Sequence, residues 1–263
     1  MSSLTEVMKQ RYSVRYFLSK PIPKETLKEI MELSLLTPSW GNSQPWNLYI
    51  ASGNTLKNIR KEWISKNKEG IKGCSDIEPG HRTDFSERCQ NNINGVMKYY
   101  GKILNDPQAK IFFDANNELF NAPTLVYITI PEKRTQYCLF DSCGIEMSVM
   151  LAAKEKGIDS VPAYEAIIYP DILRKYLKIS DDEDIVIGIA LGYEDKENIL
   201  NKLRAKKLSL EETCHQLIKK YINYVMVKLL ILKIDKSKLS FINLLHNSVI
   251  KIFELFPTIL PDS

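Results

Sequence analysis

Thr37-Pro38-Ser39-Trp40-Gly41-Asn42-Ser43-Gln44-Pro45-Trp46 is the stretch from which the rest of the chain is read. Two prolines and a glycine in so short a span cannot sit inside a helix or a central strand, so the stretch is a shaped loop. A long amphipathic segment precedes it, and the apolar run Leu48 to Ala51 follows. The loop therefore joins a helix to a strand. It carries two hydroxyls (Ser39, Ser43), two carboxamides (Asn42, Gln44) and two indoles, with no charge. Neutral groups that donate and accept hydrogen bonds suit a ligand with a polyol or an amide-like ring edge, and the indoles add flat apolar surface. A plain polar loop with a tryptophan anchoring the next strand accounts for the same residues. The stretch alone does not choose.

On its N-terminal side, Lys24 to Leu36 reads as a helix with an apolar face of Leu27, Ile30, Leu33 and Leu36, ended by Pro38. Pro21-Ile22-Pro23 breaks the chain before it, and Leu4 to Arg11 reads as a short helix. Between these lies Arg11-Tyr12-Ser13-Val14-Arg15-Tyr16-Phe17. Extended, this segment puts Arg11, Ser13 and Arg15 on one side and Tyr12, Val14 and Tyr16 on the other. Two guanidiniums and a hydroxyl facing one way make an anion site, phosphate above all. A pair of surface arginines on an edge strand is the other reading.

On the C-terminal side, Gly53-Asn54 turns the chain into a helix from Thr55 to Lys66. Residues 67–85 read as a long loop, expected to form a wall on the ligand side, and Ser86 to Leu104 as a helix. Thr124 to Ile130 is a strand. Phe140 to Lys156 is a helix, capped by Asp141 and stopped by Gly157. Its small residues Ser142, Gly144, Ser148, Ala152 and Ala153 suit close approach of another helix, in a dimer seam or within one subunit. Residues 157–165 read as a connection, Asp171 to Leu177 as a short helix, and Ile185 to Leu191 as a buried strand. The class is α+β, with more helix than strand. No G-x-G-x-x-G follows a strand and no Walker loop is present, so a Rossmann or P-loop nucleotide site is unsupported.

The 263 residues suit one domain with additions. Five scattered cysteines without a C-x-x-C pair indicate reduced thiols and a cytoplasmic setting. The N-terminus lacks a signal-peptide pattern, and no apolar run reaches bilayer length. The net charge of +4 is gathered in residues 217–263, where seven lysines face Asp235, Glu254 and Asp262, which leaves the rest balanced. Such a balance argues against nucleic acid. His81, His215 and His246 show no metal-ligand spacing with the cysteines, so no metal is expected.

Taken in order, Arg11-Tyr12-Ser13-Val14-Arg15 and Pro38-Ser39-x-x-Asn42-Ser43-Gln44-Pro45-Trp46 resemble the opening of the nitroreductase family of FMN-dependent oxidoreductases. The resemblance continues through Asn121-Ala122-Pro123, Gly157 to Pro162, Ile189 to Tyr193 and the basic segment Asn201 to Glu211, and so covers residues 5 to about 216. It implies a mainly antiparallel, mixed central sheet flanked by helices, in an entwined homodimer with FMN at the interface. Arg11 and Ser13 would hold the FMN phosphate, with Lys207 as a further cation and Arg204 assisting. Arg15 would lie by the pyrimidine edge and ribityl chain. Ser39 and Asn42 would reach the flavin of the neighbouring subunit, with Pro38 and Gln44 of the same loop as further cofactor-binding residues, and Trp40, standing where the family more usually has a small residue, would narrow the pocket over the flavin. The backbone around Tyr164 and Glu165 would face flavin N5. NADH or NADPH would reduce the flavin, which would then reduce nitroaromatics, quinones or similar acceptors in a ping-pong cycle, with no catalytic side chain required. Dehalogenation or flavin fragmentation on the same fold is the alternative within the family, and an FMN-binding sensor or storage protein the alternative outside it.

The family-like domain is expected to span residues 1–216, leaving 217–263 as an extension. Tyr221 to Ile234 is apolar except for Asn223, Lys228 and Lys233. That composition fits a helical arm on a dimer partner, a segment on a membrane surface, or a coding accident in AT-rich sequence.

Overall fold

The computed structural model describes residues 3–104 and 106–214. Strand β3 (Thr124–Pro131) is its centre, with every residue from Thr124 to Ile130 buried. It lies between β2 (Asn47–Ser52) and β5 (Glu183–Glu194), and both pairings are antiparallel, as in Leu48 opposite Ile128 and Val126 opposite Ile189. The two-residue β1 (Phe17–Leu18) and β4 (Asp159–Ala163) each pair with β5, also antiparallel. A parallel bridge between Ser13 and Ser160 adds the mixed character. The α+β class with an antiparallel sheet is as expected.

A fully buried central strand needs apolar cover on both faces, and alternation along β3 supplies two cores. Leu125 and Tyr127 point into one, shared with Leu56, Ile59 and Trp63 of α3 (Gly53–Lys68) and Ile172 and Leu173 of α7 (Pro170–Leu177). Val126 and Ile128 point into the other, with Leu27 and Ile30 of α2 (Lys24–Ser34) and Ile145 and Val149 of α6 (Gln136–Glu155). A third cluster joins Tyr100 of α4 (Glu87–Ile103) and Ala115 of α5 (Asp106–Asn117) to Leu200 and Leu203. The N-terminal α1 (Leu4–Gln10) opens on a capping box between Ser3 and Glu6.

Several expectations are corrected. Residues 159–163 form β4 rather than a plain connection, and α5 adds a helix not read from the sequence. Helix α6 starts at Gln136, so Asp141 lies inside it, buried, and does not cap it. Of its small residues, Gly144 and Ser148 serve packing within the chain: a Cβ on Gly144 would lie 3.1 Å from Thr37 Cγ2, and Thr37 Oγ1 donates to Ser148 Oγ at 2.6 Å. Residues 67–85 are tied down, with Asp76 accepting from the Ile185 N–H at 2.8 Å and pairing with Arg174 at 3.0 Å.

The chain divides into two units, Met1–Lys206 and Lys207–Ser263. Within the second, α8 (Leu210–Thr213) is opened by a Ser209–Glu212 capping box. The expected boundary at 216, and the three readings of the extension, fall on residues outside those described. No helix among the described residues is long and apolar enough to cross a membrane.

Candidate functional site

The segment 11–16 is not a regular strand. Ser13 makes a single bridge, with the Val14 N–H donating to the Ser160 carbonyl at 3.1 Å, while the other edge is closed by a side chain. Asn201, buried, accepts from the Arg15 N–H at 2.7 Å and the Tyr16 N–H at 3.2 Å through Oδ1. Its Nδ2 donates to the Tyr16 carbonyl at 2.7 Å and the Asp195 carbonyl at 2.8 Å. One carboxamide thus takes the place of a neighbouring strand and leaves the arginines off any ladder.

Arg15 donates from Nη1 to the Ser13 carbonyl at 3.0 Å and from Nη2 to the Tyr100 hydroxyl at 2.8 Å. Arg204 donates from Nη1 to the carbonyls of Asn201 (2.6 Å) and Leu203 (3.0 Å), and its guanidinium lies 3.3 Å from the centroid of the Tyr12 ring. Burial lowers the pKa of Arg15, against a smaller opposing effect of Tyr100, and the like charge of Arg204 lowers it further. Arg204 thus covers the Tyr12 ring and adds its charge to that of Arg15. Burial, then the hydrogen bond to Glu194 and its charge, push the Tyr12 phenol up to about 12, so it is a neutral hydroxyl at physiological pH. Arg11 caps α1, its N–H donating to the Val7 carbonyl at 2.9 Å. Burial lowers its pKa too, and the carboxylate that acts on it is Glu146 of α6, whose own carboxyl is raised by burial.

The structure thus links Ser13, Arg15 and Arg204 by hydrogen bonds through Asn201, stacks Arg204 on Tyr12, and places Arg11 beside them in the chain. Lys207 is exposed and opens the second unit, with which alone it is described.

The loop from Pro38 to Gln44 lies against α6. Asp141 Oδ2 and Oδ1 accept from the Trp40 N–H at 3.1 and 3.3 Å, and Ser39 Oγ accepts from the Gln44 N–H at 2.9 Å. Gly41, Asn42 and Gln44 all have positive φ, at 57°, 58° and 44°. Left-handed backbone suits glycine and asparagine and strains glutamine, so the loop holds its shape against local preference. It turns Pro38, Trp40, Asn42 and Gln44 outward, with Ser39 half-buried. Among the described residues, no hydrogen bond or ion pair joins it to Arg11, Ser13 or Arg15.

Tyr164 and Glu165 form a 3-10 turn at the end of β4, four and five residues beyond Ser160, which bridges to Ser13. Tyr164 shares a hydrogen bond of 3.1 Å with Ser75, which ties this turn to the 67–85 segment. The Glu165 side chain meets solvent, yet the protein packed behind it raises its carboxyl pKa.

Tyr12, Tyr100, Asp141, Glu146, Ser160 and Asn201 complete the neighbourhood and were not singled out as site residues from sequence. Most of their partners lie far along the chain, which a motif cannot display.

Fold and site together define an antiparallel α+β protein with a group of arginines closed by long-range contacts near the end of strand β5. The chain belongs to the nitroreductase family, whose model matches residues 8–193. It is 25% identical to a chloronitrobenzene nitroreductase of Comamonas testosteroni over 80% of this chain and 94% of that one. Its fold matches the FMN and NADPH-dependent nitroreductase NfnB from sphigopyxis sp. strain HMH with a TM-score of 0.75, at 24% identity over 82% of this chain and 99% of that one. NfnB of Mycobacterium smegmatis, solved in complex with NADPH, matches with a TM-score of 0.74 at 23% identity, over 81% and 97%.

Proposed function

We propose that this protein is an FMN-dependent oxidoreductase that draws on NADH or NADPH to reduce nitroaromatics, quinones or similar small conjugated acceptors, and that it works as a cytoplasmic homodimer. The observation that carries this reading is how the chain treats its arginines. Arg134 and Arg174 are ion-paired, with Asp184 and Asp76. Among the described residues, Arg60 is desolvated and lacks an ion pair too, but its fork donates to the Glu118 and Ala122 carbonyls. Among the same residues, Arg11, Arg15 and Arg204 have no carboxylate within 4 Å and lie together near Ser13, and burial lowers the pKa of Arg11 and Arg15. Partly desolvated cations without a counter-charge are costly unless an anion completes them.

A phosphate ester fits this donor set, because guanidiniums present planar forks to its oxygens. The Ser160 hydroxyl, buried and without a hydrogen-bond partner among the described residues, sits across the bridge from Ser13 and fits a polar ligand there as well. When bound, FMN would supply the two-electron chemistry, accepting hydride from a nicotinamide and passing electrons to the acceptor. Arg11 and Ser13 would hold the phosphate, with Lys207 and Arg204 as further cations. Arg15 would face the ring edge that becomes negative on reduction, favouring the reduced form. Pro38, Ser39, Trp40, Asn42 and Gln44 would line the partner's site, and the backbone at Tyr164 and Glu165 would border the ring. The relatives' names agree with this reading, and the outward indole, phenol and phenyl of Trp40, Tyr137 and Phe140 supply an apolar surface for a second copy.

The test is a visible spectrum of the purified protein, followed by anaerobic bleaching with each nicotinamide. Changing Arg11 and Lys207 together to alanine is expected to give a colourless protein that no longer takes up FMN. Full retention of flavin by that variant would overturn the phosphate assignment. Steady NAD(P)H oxidation with a nitroaromatic separates the reductase from a dehalogenase and from a flavin store.

A further inference from the structure

We propose that Tyr100 is a positioning residue that fixes the Arg15 guanidinium for recognition of the cofactor's ring edge, an inference that rests on the FMN reading above. The guanidinium carries five N–H donors. One on Nη1 goes to the Ser13 carbonyl and one on Nη2 to the Tyr100 hydroxyl, while the residue's own backbone N–H is held by Asn201. The group is thus fixed from two sides before any ligand arrives. Among the described residues nothing takes its Nε–H or the second hydrogen on each Nη, which remain for one.

Tyr100 is suited to this task because its own ring is held. It is 7% exposed and packs with Leu104, Ala115, Leu200, Leu203 and, at 6.1 Å between centroids, Phe112. The guanidinium carbon also lies 5.3 Å from the Tyr100 ring centroid, so ring and hydroxyl both favour the cation in place. Something must hold it there, since Arg204 repels it and no carboxylate among the described residues pairs with it. Without the hydroxyl, an unpaired arginine would gain by swinging toward water.

The experiment is a double-mutant cycle on FMN affinity, read by quenching of flavin fluorescence, with the midpoint potential of the bound flavin measured alongside. Tyr100→Phe keeps the ring and removes one hydrogen bond to a charged group, and is expected to weaken FMN binding about tenfold. Arg15→Ala is expected to weaken it at least as much, and the double variant no further than Arg15→Ala alone. Both single variants should move the midpoint potential to more negative values, which a tyrosine that only packs would not do. Tyr99→Phe, on the same helix, is the control and should match the unaltered protein. Arg15→Lys keeps the charge and loses the fork, so it should also weaken binding. That reading stands even where Tyr100→Phe folds poorly.

Unchanged affinity and potential in Tyr100→Phe, effects that multiply in the double variant, or an Arg15→Lys protein that binds as before would each overturn the assignment. If Arg15→Ala loses affinity while Tyr100→Phe does not, only the role of Tyr100 falls. If the unaltered protein takes up no FMN, the proposed function falls first.

Discussion

Glu146 shows how one carboxyl reports on the site. Burial raises its pKa and Arg11 opposes part of that rise, while the neighbouring Cys143 thiol is pushed up by burial and by Glu146. A carboxyl raised on folding contributes stability that is whole below its unfolded pKa, and that contribution is lost as pH rises through the folded value. Replacing Glu146 with Gln should therefore remove a loss of stability that sets in as pH rises above the ordinary carboxylate range, seen as a flatter run of urea midpoints in the flavin-free protein. Parallel curves for variant and parent would mean that folding does not shift the Glu146 carboxyl. At this scale the sequence showed Arg11, Ser13 and Arg15 because chemistry and spacing sit within five consecutive residues. It hid Asn201 inside a basic segment and Asp141 behind a capping role, since each is defined by a partner at least a hundred positions away.

Elements were legible where one local pattern settled them. The buried β3, the amphipathic α2 and the loop between Pro38 and Pro45 all announce themselves. Strand β4 did not, because Gly157 opens the run and Pro162 interrupts it. Pro162 stands opposite Ile189 on a strand whose one full partner is β5, a place where a missing N–H is tolerated. The junction of β1 with β5 depends on a residue too small to attract notice. A Cβ on Gly192 would lie 2.7 Å from Pro123 Cδ and 2.9 Å from Phe17 Cδ1. Gly192→Ala is therefore expected to destabilise the fold by about 1–3 kcal/mol through overpacking. Gly101→Ala on α4, where a Cβ meets nothing within 4 Å, should be neutral or stabilising by up to about 1 kcal/mol. Equal urea midpoints for the two variants would contradict the close approach at Gly192.

For the molecule as a whole, the question is what covers its outward apolar side chains. Phe140 is 74% exposed and lies on α6 beside Tyr137, 6.4 Å between centroids, with Trp40 next to Tyr137 at 5.8 Å. If these residues meet a second copy, sedimentation should give twice the 30.3 kDa chain mass. Phe140→Glu should shift that species toward monomer, because a carboxylate in a dry seam is costly. A parent protein that sediments as a single chain at micromolar concentration would refute the dimer. The family itself was legible through the order of its short motifs, none of which is specific alone. How the two ends of the first unit meet was not, because no local pattern records it. Arg15 and Asn201 stand 186 positions apart, and their hydrogen bond closes the segment that carries the arginines. During synthesis the arginines therefore leave the ribosome long before the residue that fastens them. A chain cut short of Asn201 would carry nearly every motif quoted for the family and still leave the arginine-bearing segment unfastened.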